Sequence, residues 1–116
     1  MAQLRRKSVP PTLDPEAMRA HAADAARLLR ALANEKRLML LCTLVEGAKS
    51  VGALNSQVDL SQSALSQHLA VLRADGLVAT RREAQTIYYS LAAGPAHRII
   101  DTLHGIYCGA APLCEP

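Results

Sequence analysis

The stretch Ser61-Gln-Ser-Ala-Leu-Ser-Gln-His-Leu-Ala-Val-Leu-Arg-Ala-Asp-Gly76-Leu-Val constrains this chain more than any other segment. Leu65, Leu69 and Leu72 recur at i, i+4 and i+7, which puts them on one stripe of an α-helix. Ser61 stands where an N-cap accepts a hydrogen bond from a first-turn amide, and Gly76 where a left-handed residue ends the helix. The other side of the helix carries Gln62, Ser63, Ser66, Gln67 and Ala70. A solvated face usually holds long Lys and Glu side chains, so this one is unusual. Short side chains let a helix approach base edges closely, and Gln bonds adenine in two places. An ordinary polar helix face is the plain alternative. Because a strand-like segment follows the glycine directly, the pattern predicts a DNA recognition helix running into a wing.

The chain as a whole narrows the setting. Its 116 residues leave room for one domain with a modest core. Hydrophobic residues make up 50% of it, too many for a disordered chain. With no Trp or Phe and three Tyr, the core has to be Leu, Ile, Val and Ala, which suits packed helices better than a sandwich. A net charge of +3 is a weak bias toward polyanions. The longest apolar run, Leu38 to Val45, is interrupted by Thr43 and is far shorter than the roughly 20 residues a membrane span needs. Arg5, Arg6 and Lys7 lead into prolines, not into the apolar segment of a signal peptide. These features predict a cytoplasmic protein with no membrane partner. Three cysteines in that compartment argue against a disulfide framework and leave core thiols, metal ligands or redox groups.

Residues 1–14 read as a flexible basic arm, 15–108 as a single domain and 109–116 as a tail that includes Cys114. Asp14-Pro15 opens a first helix that runs to about Ala33. Asn34 caps a second, with Leu38, Leu41, Cys42 and Val45 on its apolar stripe and an end near Gly47. Ser50 opens a short third helix, Val51 to about Val58, with Val51, Leu54 and Val58 inward. Joined to the capped helix above, it forms a helix-turn-helix. Leu77 to Arg82 and Thr86 to Leu91 read as two strands around Glu83-Ala84-Gln85, and a last helix occupies about Ala96 to Cys108. The fold class is therefore mainly α with a small β-hairpin, a winged helix-turn-helix with flanking dimerisation helices. The first helix, and the last with Ile99, Ile100, Leu103, Ile106 and Tyr107, offer more apolar surface than one small domain covers. That surplus predicts a symmetric homodimer, which places two recognition helices on one face of double-stranded operator DNA.

Ala33-Asn-Glu-Lys-Arg-Leu38, Ser50-Val-Gly-Ala-Leu54, Ser61 to Leu72 and Asp75-Gly-Leu-Val78 occur in an order and spacing that resembles the ArsR/SmtB repressors. The similarity spans roughly residues 24 to 108 and looks most like the thiol-sensing HlyU, BigR and SqrR branch. It implies a homodimer that binds an operator as a repressor and lets go when a signal arrives. Members of that branch often carry one reactive cysteine on the second helix and one on the last, and Cys42 and Cys108 sit at those places. The resemblance thus implies a switch through Cys42 and Cys108, driven by reactive sulfur species or oxidants. A metal-responsive ArsR-type repressor, or a HlyU-like anti-silencing activator without a small-molecule effector, is the alternative. Metal sensors of the family carry cysteines at the start of the helix-turn-helix, where this chain has Lys49-Ser-Val-Gly-Ala-Leu54. Others use Asp-x-His in the last helix, against Asp101-Thr-Leu-His104 here. Neither family metal site is present, and no metal or other cofactor is expected.

Spacing alone places His97, Asp101, His104 and Cys108 on one stripe of the last helix, with Ile99, Ile100, Leu103, Ile106 and Tyr107 on the opposite arc. Cys108 then leaves on the polar side, while Cys42 points along an apolar stripe. Three readings stay open for the cysteines: inert thiols, a thiol switch, or a soft metal held by Cys108 with His97, Asp101 or His104. On the DNA side, Gln62, Ser63, Ser66 and Gln67 are the base-edge candidates. His68 reaches phosphate or braces the helix, and Arg73 meets phosphate or stays within the domain. Arg81, Arg82 and Gln85 are the wing contacts. Cys and His occur without a Ser-His-Asp order, a nucleophile elbow or a phosphate loop, so no enzyme activity and no catalytic residue is expected.

Overall fold

Helix starts in this chain are written in its polar side chains, and the computed structural model, which describes residues 14–109, shows the bonds. Asp14 Oδ1 accepts from the Glu16 amide at 3.0 Å and opens helix α1, Pro15–Leu32. Asn34 Oδ1 accepts from the Lys36 and Arg37 amides at 2.9 and 3.0 Å and opens α2, Glu35–Leu44. Ser50 caps α3, Val51–Gln57, through the Ala53 amide at 3.2 Å. Ser61 caps α4, Gln62–Ala74, through the Ala64 amide at 3.1 Å. Each cap satisfies a donor that the first helical turn leaves unpaired. The last helix, α5, Pro95–Tyr107, starts on proline instead. The expected basic arm and Cys114 lie outside the described residues.

The chain divides into two units after Arg30. Most of α1 forms the first. The second begins at Ala31 and holds a three-stranded antiparallel sheet with the remaining helices. Strand β1 is Lys49–Ser50, β2 is Val78–Glu83 and β3 is Thr86–Leu91, in the order β1-β3-β2. The wing hairpin closes through Ala84 and Gln85, since Glu83 already pairs with Thr86. It is therefore tighter than the Glu83-Ala84-Gln85 turn expected from sequence, and Ala84 takes a φ of +58° to close it. Strand β1 was not legible beforehand. It pairs Lys49 with Tyr89 and Ser50 with Tyr88, and a segment this short shows no alternation to read.

Leu40, Leu41, Leu54, Leu65 and Leu72 are the largest fully buried side chains of this unit. Leu32, Leu44, Val58, Leu69, Leu77, Val78, Ala96 and Ile100 complete most of its core. Full burial contributes about 1.5–3 kcal/mol for each such side chain, so the leucine stripe of α4 anchors the fold as expected. The second helix departs from expectation. Its core arc is Leu40, Leu41 and Leu44, whereas Met39 and Val45 are exposed at 53% and 42% and Cys42 is exposed too. Apolar side chains run around most of that helix, so periodicity could not choose the buried arc. In α5 the inward side is Ala96 and Ile100, with Leu103 half-buried, while Ile106 and Tyr107 are 64% and 82% exposed.

Candidate nucleic-acid interface and thiol groove

Helix α4 divides its faces cleanly. Leu65, Leu69 and Leu72 are buried, and Gln62, Ser63, Ser66, Gln67, Ala70 and Arg73 are exposed. Its end is a two-bond cap: the Gly76 amide reaches Arg73 O at 3.0 Å and the Leu77 amide reaches Leu72 O at 2.9 Å, with Gly76 at φ +73°. The turn before α4 is pinned by Asn55, whose Nδ2 donates to Leu60 O at 3.0 Å. Sequence reasoning passed over Asn55, because a side chain reaching a carbonyl across a turn leaves no periodic mark.

Between α4 and the wing lies a groove of about 480 Å³ lined by Ser66, Ala70, Arg73 and Tyr89 among others. A cation and two hydroxyl-bearing residues over small apolar side chains suit a phosphodiester backbone. Tyr89 was not among the sequence candidates; only the pairing of β3 brings it there. Arg81, Arg82 and Gln85 are all exposed on the wing. The register then separates the two arginines, because Arg81 pairs with Tyr88 and Arg82 with Ile87, on opposite faces of the hairpin.

His68 is engaged inside the domain. Arg37 Nη1 lies 3.3 Å from His68 Nδ1, and Arg37 Nε donates to Ala31 O at 2.6 Å. A guanidinium only donates, so Nδ1 accepts and the imidazole proton sits on Nε2. This contact ties α2 to α4. Burial, and then the Arg37 charge, hold the His68 pKa below the ordinary imidazole value. A lowered folded pKa means that the unfolded chain takes up the proton first. The stabilisation is present above an unfolded pKa of about 6.5 and is lost as pH falls below it. The melting temperature is expected to drop between pH 7 and pH 5, and His68→Gln to flatten that drop. A wild-type curve flat across this interval would contradict the brace.

Helices α2 and α5 border a second groove, of about 400 Å³, and it holds both thiols. Leu38 and Met39 line it on one side, Ile100, Leu103 and Tyr107 on the other, with Cys42, Cys108 and His104 among them. Cys42 is therefore open to the groove and not sunk in the core, and Cys108 is half-buried instead of lying on a solvated polar stripe. His97 and Asp101 pair with each other at 3.4 Å on the exposed side. Among the described residues, no group of three or more His, Cys, Asp or Glu is placed to hold a metal ion. The apolar lining, and then Cys108, push the Cys42 thiol pKa above its ordinary value. Cys42 is thus mostly protonated near neutrality. Removing the Cys108 contribution through Cys108→Ser is expected to speed Cys42 alkylation by iodoacetamide at pH 8, read by mass spectrometry. An unchanged or slower rate would show that the two thiols do not feel each other.

Comparison with known proteins agrees with this geometry. Residues 34–80 match the family of bacterial regulatory proteins of arsR type. The transcriptional activator HlyU of Vibrio cholerae is 54% identical over 93 residues, covering 80% of this chain and 86% of that protein. The biofilm growth-associated repressor of Agrobacterium fabrum is 50% identical over 92 residues, 79% of each chain. The crystal structure of the repressor BigR from Xylella fastidiosa superposes with a TM-score of 0.77 at 43% identity, covering 84% of this chain and 100% of that one. No described helix is long and apolar enough to cross a membrane. Caps, leucine stripe, wing and relatives agree: the chain belongs to the arsR family of bacterial regulatory proteins, as a winged helix-turn-helix transcriptional regulator of the HlyU and BigR type.

Proposed function

We propose that this chain is a homodimeric repressor that grips operator DNA through Gln62, Ser63, Ser66 and Gln67 of α4, with Arg73 and, from the wing, Arg82 on phosphate. Reactive sulfur species or oxidants that bridge Cys42 and Cys108 release it. The observation that supports the switch is the shared groove, whose lining includes Cys42 of α2 and Cys108 at the end of α5. Exposed Ile106 and Tyr107 on α5, and Met18 and Leu29 on α1, supply apolar surface for a second copy.

The chemistry balances simply. With hydrogen peroxide, two thiols give up two protons and two electrons, one S–S bond forms and two waters leave. With a hydrogen polysulfide, sulfane sulfur stays between the two Sγ atoms and the electrons depart with hydrogen sulfide. Attack begins from the thiolate of one cysteine, and the other closes the bridge.

The test is a gel shift on the upstream promoter fragment with reduced protein, polysulfide-treated protein, and the Cys42→Ser and Cys108→Ser variants. Reduced wild type is expected to bind and treated wild type to release, while both variants stay bound. Variants that release as the wild type does would refute the switch.

A further inference from the structure

Alternation along the wing separates its two arginines. Thr80 and Arg82 share a face with Ile87 and Tyr89, and Tyr89 lines the groove against α4. Arg81 lies on the other face, and there it is already engaged twice. Its Nε donates to Glu83 Oε2 at 3.0 Å, and its guanidinium carbon sits 5.4 Å from the centroid of the Tyr88 ring. Both partners are held by the hairpin: Glu83 is two residues along the same strand, and Tyr88 is the cross-strand neighbour. The Arg81 and Glu83 side chains are 57% and 59% exposed, and exposed pairs of this kind add little to stability. A carboxylate at the end of a strand that approaches DNA also repels phosphate. Fold stability therefore gives no account of why it is there.

We propose that Glu83 is an electrostatic latch that holds Arg81 away from DNA phosphate, so that Arg82 alone carries the wing's backbone contact. Glu83 offers Arg81 a charge-assisted bond of the same kind that a phosphate oxygen offers. The ring of Tyr88 keeps the planar guanidinium lying along the strand, where the carboxylate can meet it. Exchange of Glu83 for phosphate leaves a stranded negative charge beside the polyanion, which opposes the exchange. The latch thus sets a ceiling on sequence-independent affinity. Two arginines that look equivalent in the sequence have different roles. The inference rests on the wing contacting DNA, as set out under the proposed function.

The experiment is a set of salt titrations of binding to a random duplex, followed by fluorescence anisotropy, for wild type, Arg81→Ala, Arg82→Ala, Glu83→Gln and the Arg81→Ala/Glu83→Gln pair. Freeing one arginine for phosphate is expected to steepen the log–log salt slope of Glu83→Gln by about 0.9 and to tighten binding by about three- to tenfold at physiological salt. Arg81→Ala alone is expected to be nearly silent, and to abolish the gain when combined with Glu83→Gln. Arg82→Ala weakens binding and flattens the slope. A gain from Glu83→Gln that survives without Arg81 would reduce Glu83 to general repulsion and overturn the latch, as would an Arg81→Ala loss equal to that of Arg82→Ala. Silence of both arginine variants would show that the wing does not touch the backbone, removing the underlying reading itself. Unchanged melting temperatures would keep these results separate from folding, since all three sites are exposed.

Discussion

Bridging Cys42 to Cys108 is expected to weaken operator binding by about 5- to 150-fold, the range over which one site usually biases another through a protein. The route is short. Cys42 lies on α2, and the same helix carries Arg37, whose guanidinium meets His68 on the recognition helix. A bond between Cys42 and Cys108 restrains α2 against α5, and any shift of α2 reaches α4 through that contact and the leucines packed beside it. A dimer reading two half-sites tolerates little change in the spacing of its recognition helices, so a small displacement has a large effect. Anisotropy with a labelled operator measures the effect directly on reduced protein and on protein shown by intact mass to carry the bridge. Equal affinities for the two forms would leave the groove without a regulatory role.

The second large effect separates the two faces of α4. Leu65 is fully buried, and Leu65→Ala is expected to lower stability by about 2–5 kcal/mol. Against a total of about 5–15 kcal/mol for an ordinary domain, that loss leaves the fold marginal. Gln67 is two residues away and exposed. Gln67→Ala is expected to move stability by no more than about 0.5 kcal/mol, while erasing about 1–3 kcal/mol of preference for one base pair. Urea denaturation and binding to a panel of single-base operator variants measure the two effects separately. A uniform loss on every duplex would reassign Gln67 from base edge to backbone.

Local features were the legible part of this chain. Caps at Asp14, Asn34, Ser50 and Ser61, and the glycine stop at Gly76, depend on bonds within a few residues and were readable one segment at a time. The α4 stripe was equally clear, because its polar and apolar sides contrast. Helix α2 offers no such contrast, so its sequence does not tell that the apolar side bearing Cys42 opens to a groove and not to the core. Strand β1, the Asn55 pin and the arrival of Tyr89 beside α4 all depend on pairing between distant segments. The groove that Cys42 and Cys108 share is of the same kind, since no spacing within either helix could reveal it. His68 was readable as brace or phosphate ligand, and the structure adds its contact with Arg37, 31 residues away in sequence.

The most direct test of the DNA-reading face is the ratio of affinities for the upstream promoter fragment and for a shuffled duplex of equal length, measured with reduced protein at physiological salt. Specific recognition by the Ser and Gln side of α4 is expected to give a ratio of about 10³ or more, and to shrink in Gln67→Ala with the fold unchanged. Equal binding to both duplexes, or a ratio that Gln67→Ala leaves untouched, would contradict it.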